Sequence, residues 1–187
     1  MKPGYIVFSA DRKGFIENSI KFFRNFEFNH CFIYCDKLCN IDEIIIEASR
    51  FGVRFDSWTL SYLNNPEIKL EVWDIGIPED KANEMLRDLK KYLHVSYAFL
   101  NLVGFIWVWF LAKFGIISHN PFKKGIQCSM LLYYALEYLN LLGPLAATEP
   151  ADTAPDLVYK AVQLIPNAKK IAIKDFDKTE LTYRNNL

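Results

Sequence analysis

The dominant period of the apolar residues changes near residue 76, and that change limits the folds open to this chain. Up to Ile75 the apolar side chains come in short, partly alternating runs. From Pro78 onward they recur every three to four residues. A period of two puts one face of a strand inwards, and a period near 3.6 does the same for a helix. A strand-rich half followed by a helix-rich half predicts an α+β chain rather than alternating βαβ units. At 187 residues the whole of it, 1–187, fits one domain able to bury a core without metals or disulfides.

In detail, 4–10 reads as a strand and Phe15 to Arg24 as a helix. Phe28 to Tyr34 and Glu43 to Ala48 read as a hairpin turning at 36–40, Gly52 to Phe55 as a short strand, and Glu67 to Ile75 as a further strand. Pro78-Glu79-Asp80 has the proline and acids of a helix start, and the stripe Ala82, Met85, Leu86, Leu89, Tyr92, Leu93 continues it. A second striped segment runs from Gln127 to Leu142 and stops at Gly143-Pro144. A short helix begins at Pro155, and Lys169 to Lys174 reads as a terminal strand.

Between the two striped helices lies Val95 to Ile117, whose one formal charge is Lys113 and which carries six Phe and Trp residues. As one helix it would reach about 34 Å, long enough for a bilayer core of about 30 Å. Ser96, Asn101 and Lys113 favour instead a buried helix or helical hairpin, with Gly104 and Gly115 as its soft points, packed within or against the domain rather than an isolated span. The expected partners through 95–117 are therefore a membrane surface or a protein assembly.

Lys+Arg equals Asp+Glu at 22 each, with no basic stripe, which argues against a nucleic-acid partner. The start MKPGYIVFSA has neither an apolar leader core nor a cleavage site, so no signal peptide is expected. Cys31, Cys35, Cys39 and Cys128 are then expected to stay reduced, in a cytoplasmic or virion-associated setting with peripheral membrane contact. Zinc-type CxxC pairs are absent, and the first three cysteines read as small side chains; no metal or cofactor is expected.

The chemistry-bearing candidates are Cys128, in Gln127-Cys128-Ser129, and His30, in Asn29-His30. Unpaired N–H groups and the dipole at a helix start stabilise a thiolate. A cysteine and a histidine together suffice for nucleophilic acyl chemistry. On its stripe, Cys128 reads equally as a small core residue. If the hairpin turns between Leu38 and Cys39, His30 falls opposite Glu47, close enough for the carboxylate to orient an imidazole. His119 is a weaker alternative base, and His94 reads as a helix-end residue.

The order of these pieces resembles the circularly permuted papain-like hydrolases, the YiiX-like and LRAT-like relatives of the NlpC cell-wall peptidases. The resemblance rests on Gly4-Tyr5-Ile6-Val7-Phe8, Asn29-His30 opening a strand, Ile46-Glu47-Ala48 with Gly52-Val53, Tyr97 to Gly104, and Gln127-Cys128-Ser129. It covers roughly residues 3–164, leaving 165–187 as a C-terminal extension. It implies a small antiparallel sheet packed on a cysteine-bearing helix, with an added apolar helical segment. It also implies Cys128 as nucleophile, His30 as base and Glu47 as the polar third member. The implied activity is cleavage of an amide or ester in a peptidoglycan-type peptide or a lipid acyl substrate; the alternative is a catalytically silent structural or binding module. This chain departs from the pattern with Tyr5 where Asp is usual, Cys31 where a small aliphatic is common, and Met130 where Glu is usual.

Overall fold

The computed structural model describes residues 2–10, 26–38, 41–65, 68–116 and 124–171. The element order is β1 (Ile6–Ala10), β2 (His30–Leu38), β3 (Ile41–Ser49), β4 (Gly52–Ser57), a π-helical turn (Thr59–Leu63), β5 (Lys69–Asp74), α1 (Glu79–Leu89), α2 (Phe99–Ala112), α3 (Cys128–Tyr138), α4 (Pro155–Gln163) and β6 (Lys169–Ile171). The strands form one antiparallel sheet in the order β4-β3-β2-β1-β5-β6. The α+β expectation holds. The helix expected over Phe15 to Arg24, and the end of the strand expected to reach Lys174, lie outside the described residues.

Alternation sorts each strand between two cores. One face contributes Ile6, Phe8, Cys31, Ile33, Ile46 and Val53 beneath α1, α3 and α4, together with Leu86, Leu89, Leu131, Leu132 and Val158. The other contributes Val7, Phe32, Tyr34, Ile45, Leu70 and Val72, closed by Trp58 with Tyr62 packed against it. Both faces of the central strands are therefore covered.

The hairpin register departs from expectation. A turn between Leu38 and Cys39 would set Ile33 against Ile44, whereas Ile33 pairs with Ile46. Asp36 sits at φ 68 and Glu43 at φ 62, and the pairing is irregular between Tyr34 and Asp36 and again between Asp36 and Leu38. The two irregularities cancel, and the offset is already present at the turn, where Leu38 pairs with Ile41: the chain reverses one residue later than expected, which moves every partner by two. Because the side-chain period is two, such a slip leaves every residue on its expected face. His30 and Glu47 are therefore not directly opposed, yet they share a face.

Val95 to Ile117 is not one helix. Tyr97 makes a parallel bridge to Ile126, and Val95 O accepts from Val53 N–H at 3.0 Å, so the helix begins only at Phe99. Its 14 residues span about 21 Å. Among the described residues, no helix is long and apolar enough to cross a membrane.

Candidate active site

Cys128 is the first residue of α3, and the chain holds that turn from two sides. Ser96 O accepts from Ile126 N–H at 3.0 Å, and Gly125, at φ +85, passes so close to Ser96 that a Cβ would lie 2.6 Å from its carbonyl oxygen. Only glycine fits there. The Gln127 side-chain amide donates to Thr153 O at 2.8 Å, and the Ser129 hydroxyl donates to the same oxygen at 2.6 Å. The polar residues flanking the cysteine thus clamp it to the segment before α4.

His30 opens β2 on the face opposite the α3 core. Its Nε2 lies 3.1 Å from Glu47 Oε2. Tyr62 Oη donates to the same oxygen at 2.5 Å, and Arg54 donates through Nε and Nη2 to Oε1, both at 3.2 Å. Arg54 is directly cross-strand from Glu47 and also bonds Asp56. The Tyr62 ring stacks on the His30 ring, centroids 6.3 Å apart. Glu47 is thus a buried carboxylate supplied with donors from three residues.

Cys128 and His30 meet at the end of β2. Tyr34 N–H points to β1, donating to Tyr5 O at 2.8 Å. Strand alternation then turns the N–H of Cys31 towards β3, where the ladder already stops at Ile33↔Ile46. The Cys31 N–H goes instead to the Cys128 sulfur, and the Cys31 thiol hydrogen-bonds that sulfur as well. The His30 ring reaches the same sulfur with a hydrogen bond of its own. Since Nε2 is held by Glu47, Nδ1 is the ring nitrogen left for the thiol.

The electrostatics follow from these contacts. Burial alone would lower the His30 pKa, but the charge and hydrogen bond of Cys128, then those of Glu47, raise it to about 10. The hydrogen bond from Cys31 holds the Cys128 thiol well below its ordinary value, against burial, and His30 adds its charge and hydrogen bond. Glu47 falls to about 2, because His30, Tyr62 and Arg54 together outweigh its burial. The two shifts, Cys128 down and His30 up, both favour the thiolate–imidazolium form of the pair, braced by a carboxylate.

All three sequence candidates, Cys128, His30 and Glu47, therefore come together. His94 lies apart, at φ 66 after the α1 region, and His119 lies outside the described residues. Sequence reasoning missed Tyr62, Arg54 and the contact from Cys31. The Tyr62 contact depends on the π-helical turn, which has no local signature; Arg54 was readable once β3 and β4 were paired through their turn.

No protein-family model and no curated protein matches this sequence. A solved structure of the metalloprotein YiiX from Escherichia coli O157:H7 has a similar fold, with a TM-score of 0.53 and 16% identity over 91% of this chain and 96% of that one. The described part of this chain has a YiiX-like fold. "Metalloprotein" describes that other protein; among the described residues here, no group of three or more His, Cys, Asp or Glu side chains is placed to hold a metal ion.

Proposed function

We propose that this chain is a thiol hydrolase of the permuted papain-like kind, cleaving an amide or ester bond. The contact series Cys128–His30–Glu47, with the sulfur at the start of α3, carries the reading. The Cys128 thiolate attacks the carbonyl, and the His30 imidazolium gives its proton to the leaving group. Neutral His30 then takes a proton from the water that releases the acyl group. Glu47 holds the ring without reacting. The Cys128 N–H, unpaired within the first turn, is placed to donate to the oxyanion.

An apolar acyl substrate suits the surroundings better than a polar peptide. Leu100, Val103, Trp107, Phe110 and Phe114 are exposed at helical spacing along and just beyond α2, which starts two residues after the Tyr97 bridge that positions the cysteine loop. The silent-module reading is favoured by one observation: Cys128 is only 4% exposed.

A single test separates the two. Incubation with a medium-chain p-nitrophenyl ester, followed by intact-mass measurement, should trap an acyl group on Cys128 and release nitrophenol in a burst. No adduct on Cys128, in a protein that remains folded, would favour the silent module.

A further inference from the structure

The mechanism above leaves one buried nucleophilic group unused. Cys31 is fully buried on β2, paired with Phe8 of β1, and lies in the same core cluster as Cys128. Its thiol and its backbone N–H both reach the Cys128 sulfur, because the β2–β3 ladder ends before it and α3 packs onto β2 there. Cys35, four residues along the same strand, differs: its thiol donates to Ile33 O at 3.7 Å, within its own strand.

We propose that Cys31 and Cys128 form a reversible disulfide when the protein meets a hydroperoxide, Cys128 being oxidised first and Cys31 resolving it. The proposal shares the thiolate of Cys128 with the hydrolase reading but needs no hydrolytic step. The Cys128 sulfur attacks the distal peroxide oxygen and the O–O bond breaks. The departing alkoxide takes the His30 proton and leaves as an alcohol, and Cys128 becomes a sulfenic acid. The Cys31 thiol gives its proton to the now neutral His30 and attacks the Cys128 sulfur. The S–O bond breaks, and hydroxide leaves as water after taking that proton. Each sulfur loses one electron, the peroxide gains two, and a dithiol reverses the change.

The two sulfurs have the unequal character this sequence of steps requires. Cys128 is held as thiolate, the form that attacks peroxide. Burial first, and then donation to Cys128, push the Cys31 pKa well up, so it stays a thiol until the charge on its neighbour is gone. The sulfurs must close from hydrogen-bond contact to about 2.05 Å, a movement of side chains rather than of strand or helix. In that state the nucleophile is masked but protected from irreversible oxidation.

The test uses the full reduced chain with a small excess of hydrogen peroxide at pH 7, quenched with iodoacetamide and mapped by peptide mass spectrometry. The expected product joins the peptide of Cys31 to that of Cys128 and is lost on treatment with dithiothreitol. In Cys31→Ser, and in Cys31→Ala if the serine variant does not fold, Cys128 should run on to sulfinic acid at least tenfold more. Cys35→Ser should leave the crosslink unchanged. Wild-type protein in which Cys128 is over-oxidised while Cys31 stays alkylatable, in which Cys128 joins another cysteine, or in which it resists peroxide altogether, overturns the proposal. Ester turnover measured on the reduced protein keeps the two ideas apart: a chain that forms the disulfide but never acylates refutes the hydrolase alone, and one that acylates without forming it refutes this proposal alone.

Discussion

Two glutamates are buried in this sheet, on opposite faces, and they are satisfied in nearly the same way. Glu71 of β5 accepts from Trp73 Nε1 at 2.8 Å, Tyr159 Oη at 2.7 Å and Lys170 Nζ at 2.6 Å. Glu47 of β3 is held by His30 Nε2, Tyr62 Oη and the Arg54 guanidinium. Each has a ring nitrogen, a phenol and a cation, and each is pulled below the ordinary carboxylate range by its partners against its burial. The difference is the ring. The Trp73 indole keeps its proton at any physiological pH, and around it Tyr159 packs on Phe8, Phe26 and Phe28, tying α4 to the sheet. The imidazole of His30 exchanges its proton and faces a thiol through its other nitrogen. A buried, lowered carboxylate does not mark a site by itself; a titratable partner leading to a nucleophile does.

Substitutions separate the two. The largest effect should be Cys128→Ser, which reduces ester turnover at least about 10³-fold while leaving the circular dichroism spectrum and melting curve close to wild type. Glu47→Gln comes next, lowering turnover on the order of 10²-fold by loosening the imidazole. Glu71→Gln should leave kcat within about twofold and cost about 1–3 kcal/mol in urea unfolding, since it leaves buried donors imperfectly paired. A drop in kcat for Glu71→Gln as large as that for Glu47→Gln would end the distinction.

The pH dependence sharpens it. The Glu47 carboxylate falls on folding from its ordinary 4.5 to about 2, so its contribution to stability is whole above about pH 4.5 and is lost as pH falls towards 2. Glu71 is lowered too, so both Gln variants should flatten the acid limb of the stability curve. On the alkaline side only one should respond. His30 is raised to about 10, so its contribution is whole below about pH 6.5 and disappears as pH rises through 10. Glu47→Gln removes part of what raises it and should move the alkaline limb of turnover downwards; Glu71→Gln should not. The smallest effect belongs to Ser49→Ala. Ser49 Oγ is the one buried side-chain polar atom without a partner among the described residues, so its removal should change stability by less than about 0.5 kcal/mol.

Much of this was legible before any coordinates. Alternation around Ile33, Ile46 and Val72 identified the strands, because burial of a pleated face is written with a period of two. Cys128 and His30 were singled out by their motifs and the family resemblance, and Glu47 by a register the hairpin does not keep; a slip of two residues preserved the shared face. The two-residue slip of the hairpin comes from a reversal one residue further along the chain, with Leu38 against Ile41, and it left the faces unchanged. What escaped depends on distant parts of the chain. Gln127 and Ser129 both close on Thr153, and neither bond is encoded near the cysteine. The apolar run from Val95 read as a helix or helical hairpin from its first residue, since nothing within it announces that Tyr97 pairs with Ile126. Cys31 read as a small core residue because its second role exists only where the β2–β3 ladder stops.

The central claim is that Cys128 is a thiolate at neutral pH because Cys31 and His30 hold it so. The direct measurement is the rate of iodoacetamide alkylation at Cys128 against pH, read residue by residue by mass spectrometry, with Cys35 as the internal reference. Burial leads in holding the Cys35 thiol well above the ordinary range. The predicted result is a Cys128 rate already on its plateau at pH 6, with Cys35 unreactive until the chain is unfolded, and a Cys128 profile shifted to higher pH in His30→Ala. A Cys128 rate that climbs only near pH 9, as for an ordinary thiol, or that never exceeds that of Cys35, would contradict the account.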